Sequence, residues 1–197
     1  RPSHGRGVAF QFGLRPMAEL RPYPFPRLLS RLSRDLDSGQ SILGLPKRLW
    51  MMGAPGKDLS VEFHGRRAST PLGPAAGPHT QLAQNIVLSW RGGCRIMELK
   101  TVQALDQLNI PRPCIDMRTV GFNVEWSQEL RLGQSLEEYA KASMLIDLLR
   151  AEGVPATACP RPLFDMSVGY DLAGVRGDKV RSFVAGMIDA RALVDRL

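Results

Sequence analysis

From Ser69 onward, the sequence repeats a strand-like segment followed by a helix-like segment three times. The strand-like segments are residues 70–76, 94–99 and 163–168, and an amphipathic stretch follows each of them. Successive strand–helix units place their strands in parallel, because the crossover between them is long and right-handed. A (β/α)8 TIM barrel needs eight such units. We therefore predict an α/β protein that holds the first three or so βα units of a partial barrel.

The helix predictions depend on apolar spacing and on capping residues. Leucines at 28, 29, 32 and 36 share one helical face, as in an amphipathic helix. Residues 59–63 alternate with period two, as a half-buried strand does. The candidate caps and stop signals are Gly39, Thr80, the capping box from Ser135 to Glu138, and Asp178.

Composition divides the chain into three parts. Residues 1–16 are rich in Gly, Arg and Pro without periodicity, and we expect them to be disordered or to precede a true start at Met17. Residues 17–58 hold a helix and an extended, Pro- and Gly-rich connection. Residues 59–197 hold the incomplete barrel, within which residues 100–134 form a long irregular segment of the kind that often carries function.

The net charge of +7 is concentrated in the N-terminal quarter of the chain. Residues 1–50 hold nine basic and three acidic side chains, whereas the other 147 hold 17 basic and 16 acidic ones. The basic part has no aromatic platform for bases, so a solvated flank is the better interpretation and no nucleic-acid partner is expected.

No apolar run suits a bilayer and no signal pattern begins the chain, which predicts a cytoplasmic protein without a membrane partner. The three cysteines are widely spaced, so neither a disulfide framework nor a metal site is predicted.

A small-residue motif lies at the first strand-to-helix junction. Residues 73–77 read GPAAG, and such bare backbone lets a flat heterocycle approach and form hydrogen bonds with the main chain. The alternative is a tight turn that needs small residues for packing, and composition alone favours it.

A second motif, Lys100 and Thr101, ends the next strand. Parallel strands would bring it to the same edge of the sheet as the GPAAG turn, where α/β proteins bind ligands. A lysine there can stabilise developing negative charge, and a threonine adds a short hydrogen bond. A solvated lysine at the start of a loop is the alternative, and it is the commoner case for an isolated lysine. Together the two motifs indicate a cofactor site.

Several motifs in a fixed order resemble a known family. They are TPLGPAAGPHTQLAQN at 70–85, MELKTVQALDQL at 97–108, PCID at 113–116, GFNVEWS at 121–127 and FDMSVGYDLAGV at 164–175. From about Met17 to the C-terminus, the sequence resembles the N-terminal region of the selenate reductase subunit family. That family is similar to dihydropyrimidine dehydrogenase, with a dihydroorotate dehydrogenase-like FMN barrel.

The resemblance implies roles for individual residues. Ala75, Ala76 and Gly77 match the segment whose backbone lies against the flavin ring. Lys100 and Thr101 match the pair at the second strand end, close to FMN and substrate. By this resemblance Lys100 is the catalytic residue, since its charge would stabilise the reduced ring.

The match is looser at other positions. Ser167 and Gly169 fall at the third strand end, where dihydroorotate dehydrogenases often place an asparagine beside the flavin. Asn123 is the substrate-binding candidate, in a substrate motif that has Arg118 at its first asparagine position. Thr80 stands where class 2 enzymes have a lysine. A dihydroorotate substrate is therefore not expected.

The resemblance also implies a function for the whole protein. The chain would be the N-terminal part of an FMN-binding flavoprotein oxidoreductase that passes electrons from NAD(P)H toward a reducible small-molecule substrate. FAD and 4Fe-4S clusters are implied for the full-length family, and their motifs are absent from these residues. The partners would be the C-terminal remainder of the barrel, the redox domains and other redox subunits, and the fragment alone is expected to be inactive.

The alternative is a non-catalytic partial barrel, a structural or assembly module that has lost the cofactor, which the reduced substrate motif favours.

Four further residues are minor candidates. His79 lies near the proposed site, and Glu125 and Trp126 lie in the long irregular segment, where they could face substrate. Asp171 could contact cofactor or simply begin a turn. An exposed histidine in the capping region and a buried tryptophan that anchors the loop are the competing explanations.

Overall fold

The structure is a computed structural model of the chain, and it describes residues 20–51, 53–106, 115–116, 122–123, 129–152 and 161–197. The α-helices in these ranges are α1 (Phe25–Ser38), α2 (Ala83–Arg91), α3 (Leu132–Ala151), α4 (Leu172–Val175), α5 (Asp178–Ile188) and α6 (Arg191–Val194). The strands are β1 (Ser41–Ile42), β2 (Leu45–Pro46), β3 (Val61–Phe63), β4 (Arg66–Ala68), β5 (Ile96–Glu98), β6 (Val102–Gln103), β7 (Ile115–Asp116), β8 (Phe122–Asn123), β9 (Leu163–Asp165) and β10 (Val168–Gly169). Short 3-10 turns cover Lys47–Leu49 and Pro78–Gln81.

The centre of the fold is a pair of chain segments that run side by side in parallel. β5 pairs with β9, which puts Ile96 opposite Leu163 and Glu98 opposite Asp165. β6 pairs with β10 in the same direction. Because α3 lies between the two segments in sequence, residues 96–169 form a β–α–β unit. The predicted strands at 94–99 and 163–168 are therefore confirmed as parallel neighbours, although their paired parts, β5 and β9, cover only Ile96–Glu98 and Leu163–Asp165.

The segment before β5 lies against it without forming a strand. Arg95 N and Ile96 N both donate to Leu72 O, at 2.8 and 3.1 Å. The strand predicted for residues 70–76 was therefore wrong, because Pro71 and Pro74 have no N–H to donate to a strand ladder. A Cβ on Gly73 would lie 1.9 Å from Ile96 O, so the two backbones are in contact.

Helices α2, α3 and α5 cover one face of the parallel pair. The parallel segments contribute Met97, Leu99 and Val102 to the buried core. The helices contribute Ala83, Ile86, Val87, Trp90, Tyr139, Ala142, Leu145, Ile146, Leu149, Val180 and Phe183. The alternation of side chains along β5 places Met97 in this core and leaves Glu98 exposed on the opposite face. In a closed barrel, that opposite face is the one that points inward.

The described strands do not close into a barrel. They form five two-stranded sheets, of which the pairs β5–β9 and β6–β10 are parallel. The hairpins β1–β2, β3–β4 and β7–β8 are antiparallel. Of the predicted strand at residues 59–63, the part from Val61 to Phe63 is confirmed as β3.

The N-terminal helix agrees with the sequence. α1 buries Phe25, Leu28 and Leu32, and it ends at Gly39, whose φ of 64° is a left-handed conformation that favours glycine. Residues 1–19 lie outside the described part, and so does the prediction made for residues 1–16.

α3 begins three residues before the predicted capping box. Leu132 N donates to Asp106 Oδ1 at 2.5 Å, and Arg131 N donates to Gln134 Oε1 at 2.9 Å. The residues of that box, Ser135 to Glu138, therefore lie inside the helix, and the capping prediction was wrong. Ser135 and Glu138 are buried polar residues inside the helix, and their spacing in the sequence is the same as that of a capping box.

Glu138 instead caps a neighbouring helix. α2 begins at Ala83, whose N–H donates to Glu138 Oε2 at 2.8 Å. The predicted cap, Thr80, lies in the preceding 3-10 turn. A carboxylate at this position satisfies an unpaired amide and faces the positive end of the helix dipole. The contact joins residues 55 positions apart, so local sequence does not reveal it.

Glu138 belongs to a cluster of two carboxylates and one ammonium, in which Glu138 and Lys141 are buried and Glu137 is partly exposed. Lys141 Nζ lies 3.1 Å from Glu138 Oε1 and 2.5 Å from Glu137 Oε1. Burial raises the pKa of Glu138, and the hydrogen bonds from Ala83 and Lys141 offset it only in part. Burial by itself lowers the pKa of Lys141, but the two glutamates outweigh it and raise that pKa. Both buried members therefore hold their protons more tightly than they would in water, Glu138 chiefly because of burial and Lys141 because of its two glutamate partners.

Replacing Gly73 with alanine should destabilise the protein by about 2–3 kcal/mol, because the new methyl group would collide with the Ile96 carbonyl. Urea unfolding measures the change. Gly133→Ala is the matched control, since nothing lies within 4 Å of a Cβ on Gly133 in α3. There, alanine should be neutral or stabilise by up to about 1 kcal/mol. Equal effects at the two glycines would contradict the close contact.

Glu138→Gln should change how stability depends on pH. The folded state raises the pKa of Glu138 above 4.5, so this group stabilises the fold most below pH 4.5 and loses that contribution as pH rises through the folded-state pKa. Glutamine does not titrate and can still accept from Ala83 N. Relative to wild type, the variant should therefore gain stability as pH rises from 4.5 toward neutral, in urea unfolding at several pH values. Exposed Glu152→Gln is the control, and a parallel pH profile for wild type and Glu138→Gln would contradict the prediction.

Candidate functional site

The small-residue bend and the lysine–threonine pair reach the same end of the sheet. Leu72 lies opposite Arg95 and Ile96. Four residues further on, Ala76 N donates to Glu98 Oε2 at 3.0 Å. The two segments therefore run in the same direction, and Lys100 follows Glu98 by two residues. We call residues 75–77 the bend, and the end of β5 with residues 99–101 the strand end.

Hydrogen bonds between Gly77 and Thr80 fix the C-terminal end of the bend. Gly77 N donates to Thr80 Oγ1 at 3.1 Å, and Gly77 O accepts from Thr80 N at 2.9 Å and from Thr80 Oγ1 at 3.0 Å. A side chain on Gly77 would meet the ring of the exposed His79, at 2.8 Å from its nearest atoms. Because the exposed His79 side chain can move, this contact does not by itself require glycine; the backbone contact of Gly73 with Ile96 does, and it supports the tight-turn interpretation. Ala75 is nevertheless exposed, so one part of the bend presents bare backbone.

Lys100 is buried rather than solvated. Its exposed fraction is 8%, and its carbonyl oxygen accepts from Tyr139 Oη at 3.0 Å. This contradicts the interpretation of Lys100 as a surface lysine at the start of a loop. Tyr139 itself is buried in α3, and burial raises the pKa of its hydroxyl, which stays a proton donor to the strand. A buried ammonium beside a strand end is suited to stabilising negative charge, because water screens it less.

The third strand end lies next to this one. Ser167 is exposed, and its carbonyl oxygen accepts from Val102 N at 3.2 Å. Gly169 is buried in β10 opposite Gln103. Thr101, half-buried, lies between Lys100 and the paired residues. The predicted residues of all three strand ends are thus on neighbouring segments, and their role toward a cofactor stays a prediction.

For the other candidates, the described structure gives local contacts and leaves a role in this site as a prediction. Asn123 lies in β8, where its backbone pairs with Ile115. Arg118, Glu125 and Trp126 lie outside the described residues. Asp171 caps the short helix α4, since Asp171 Oδ1 accepts from Gly174 N at 2.7 Å, which agrees with the simple turn.

Sequence reasoning missed Glu98, which connects the two motifs. The available signal was its charge inside the strand-like run MELKT, between two apolar residues that face the core. It also missed the polar contacts of α3, Glu138 with Ala83 and Tyr139 with Lys100, because these join distant parts of the chain. Among the residues that the structure describes, no group of three or more His, Cys, Asp or Glu side chains could hold a metal ion.

Comparison with known families decides the class of protein. A family model described as "Oxidoreductase YgfK, N-terminal TIM-barrel domain" matches residues 43–194. The chain belongs to this family. It is also 45% identical, over 171 residues, to "Putative oxidoreductase YgfK" of Escherichia coli strain K12 and of strain O157:H7. No solved structure matches the chain significantly.

Membership in the YgfK family confirms two predictions at a coarse level, an oxidoreductase family and a TIM-barrel domain. The aligned region covers 87% of this chain but only 16% of the two Escherichia coli relatives, so the chain spans a small part of their length. FMN, NAD(P)H, iron–sulfur clusters and selenate stay predictions.

No helix in the described ranges is long and apolar enough to cross a membrane.

Tyr139→Phe tests whether α3 supports the strand end. The variant keeps the ring but loses the donor to Lys100 O, so it should lower the free energy of unfolding by about 1 kcal/mol. Urea unfolding measures it, with exposed Tyr23→Phe as the control that should change little. A loss no larger than that of the control would remove Tyr139 from the support of the site.

Proposed function

We propose that this chain supplies the first strands of a dihydroorotate dehydrogenase-like FMN-binding barrel, within a larger flavoprotein oxidoreductase. The observation that carries the proposal is the meeting of the bend and the buried Lys100 at one end of the parallel segments. In parallel β/α proteins, ligands bind at the carboxyl ends of the strands. The bend and Lys100 lie at the carboxyl end of β5. Family membership supports the redox class.

The residues present fit a flat, anionic ring system. Ala75 is exposed and carries only a methyl group, so a planar ring can approach its backbone. The Lys100 ammonium can neutralise negative charge on the ring, and the Thr101 hydroxyl can hydrogen-bond a ring heteroatom. FMN, when bound, would supply hydride and electron transfer. The chain would bind and orient the ring and hold the charge of Lys100 beside it.

The electron route belongs to the larger protein. We propose that electrons come from NAD(P)H through FAD and 4Fe-4S clusters carried elsewhere, and that they reach a reducible small molecule. Selenate is a name taken from the resemblance, and none of the described side chains selects for it. The structural module without a cofactor is the competing function, and the commitment of the Ala76 amide to Glu98 favours it, because that amide is already bonded.

FMN titration of the purified full-length protein separates the two functions. Wild type should bind FMN with quenching of flavin fluorescence, and Lys100→Met should weaken binding about tenfold by removing the ammonium while keeping the length of the side chain. Exposed Lys57→Met is the control and should bind like wild type. Circular dichroism melting checks that each variant folds.

A protein that stays colourless after incubation with FMN would support the structural module. Binding that is equal in wild type and Lys100→Met would remove Lys100 from the site and leave the bend alone as a candidate.

A further inference from the structure

We propose that Glu98 is a positioning residue of this site, which holds the bend against the strand end through the Ala76 amide. The inference deepens the proposed function and rests on it. The site needs two segments from different parts of the chain to keep a fixed separation, and Glu98 is the side chain that joins them.

The contact spans the site directly. Ala76 N donates to Glu98 Oε2 at 3.0 Å, although the two residues are 22 positions apart. The distance is that of an ordinary N–H···O hydrogen bond. The donor lies in the middle of the bend, and the acceptor lies two residues before Lys100. One hydrogen bond therefore sets the distance between the candidate ring-binding backbone and the strand that carries the candidate charge.

The other hydrogen bonds of this region do not set that distance. Leu72 O is bonded to Arg95 N and Ile96 N, before the bend begins. Gly77 is bonded to Thr80, within its own turn. Within the described parts of the chain, no other hydrogen bond joins residues 75–77 to β5. Loss of the Glu98 carboxylate would leave the bend attached at its two ends but free to move at its centre.

Glu98 lies on the face where such a group can act. It is exposed, on the side of β5 opposite the core residues Met97 and Leu99. Its register partner on β9 is Asp165, so the neighbouring strand offers no basic group at that position. The Ala76 amide is therefore the polar group toward which the Glu98 carboxylate is directed.

Hydrogen exchange of the Ala76 amide tests the contact without any flavin. In Glu98→Ala, the Ala76 amide should exchange at least about tenfold faster than in wild type, as followed by 15N–1H NMR. Glu98→Gln keeps an oxygen acceptor at nearly the same place, so it should restore most of the protection. Glu62→Ala, which removes an exposed glutamate from β3, is the matched control and should leave Ala76 unchanged.

FMN titration of the same four proteins tests the role in the site. Glu98→Ala should weaken FMN binding about tenfold, whereas Glu98→Gln and Glu62→Ala should stay within about threefold of wild type. Unchanged Ala76 exchange in Glu98→Ala would overturn the proposal, and so would faster exchange with wild-type FMN affinity. If wild type binds no FMN, the proposed function fails and Glu98 positions no cofactor, while the exchange experiment still decides whether it holds the bend.

Discussion

The parallel pairing of residues 96–103 with residues 163–169 is the constraint on which the rest of this structure depends. Two parallel strands cannot be joined by a tight turn, so the chain must cross over, and α3 is that crossover. Because α3 packs on the strands and beside α2, the polar side chains on its buried face need hydrogen-bond partners in both. Tyr139 then donates to the carbonyl of Lys100, and Glu138 reaches the first amide of α2.

Polar groups at these junctions decide how the layers fit together. The buried Glu138 satisfies an amide of another helix, and Lys141 balances part of its charge. Glu138 and Lys141 lie on the same helix, so it is the Glu138–Ala83 hydrogen bond that holds α2 against α3, and its loss would leave a buried carboxylate without its amide partner. At the opposite face, Glu98 makes a comparable contact with the bend. Both glutamates use a carboxylate to join segments that are distant in sequence.

The geometry explains why the two motifs lie at the same end of the sheet. Small residues let the segment 72–77 run against β5 without a strand ladder, and Gly73 makes the closest approach. That approach carries the bend to the level of Glu98, two residues from Lys100. The GPAAG run therefore serves packing and presents backbone at the same time, so the two interpretations of it are compatible.

Sequence alone determined the core stripe of α1, the two parallel strands within residues 94–99 and 163–168, and the helices that follow them, because apolar periodicity acts locally. It also pointed to an oxidoreductase family with a TIM-barrel domain, which the family match confirms. Tertiary structure decided that Thr80 and Ser135 are not helix caps, that Lys100 is buried, and that Glu98 and Glu138 join separate segments. These features depend on partners 22 to 55 residues away, and a side chain's local pattern is the same whether or not such a partner meets it.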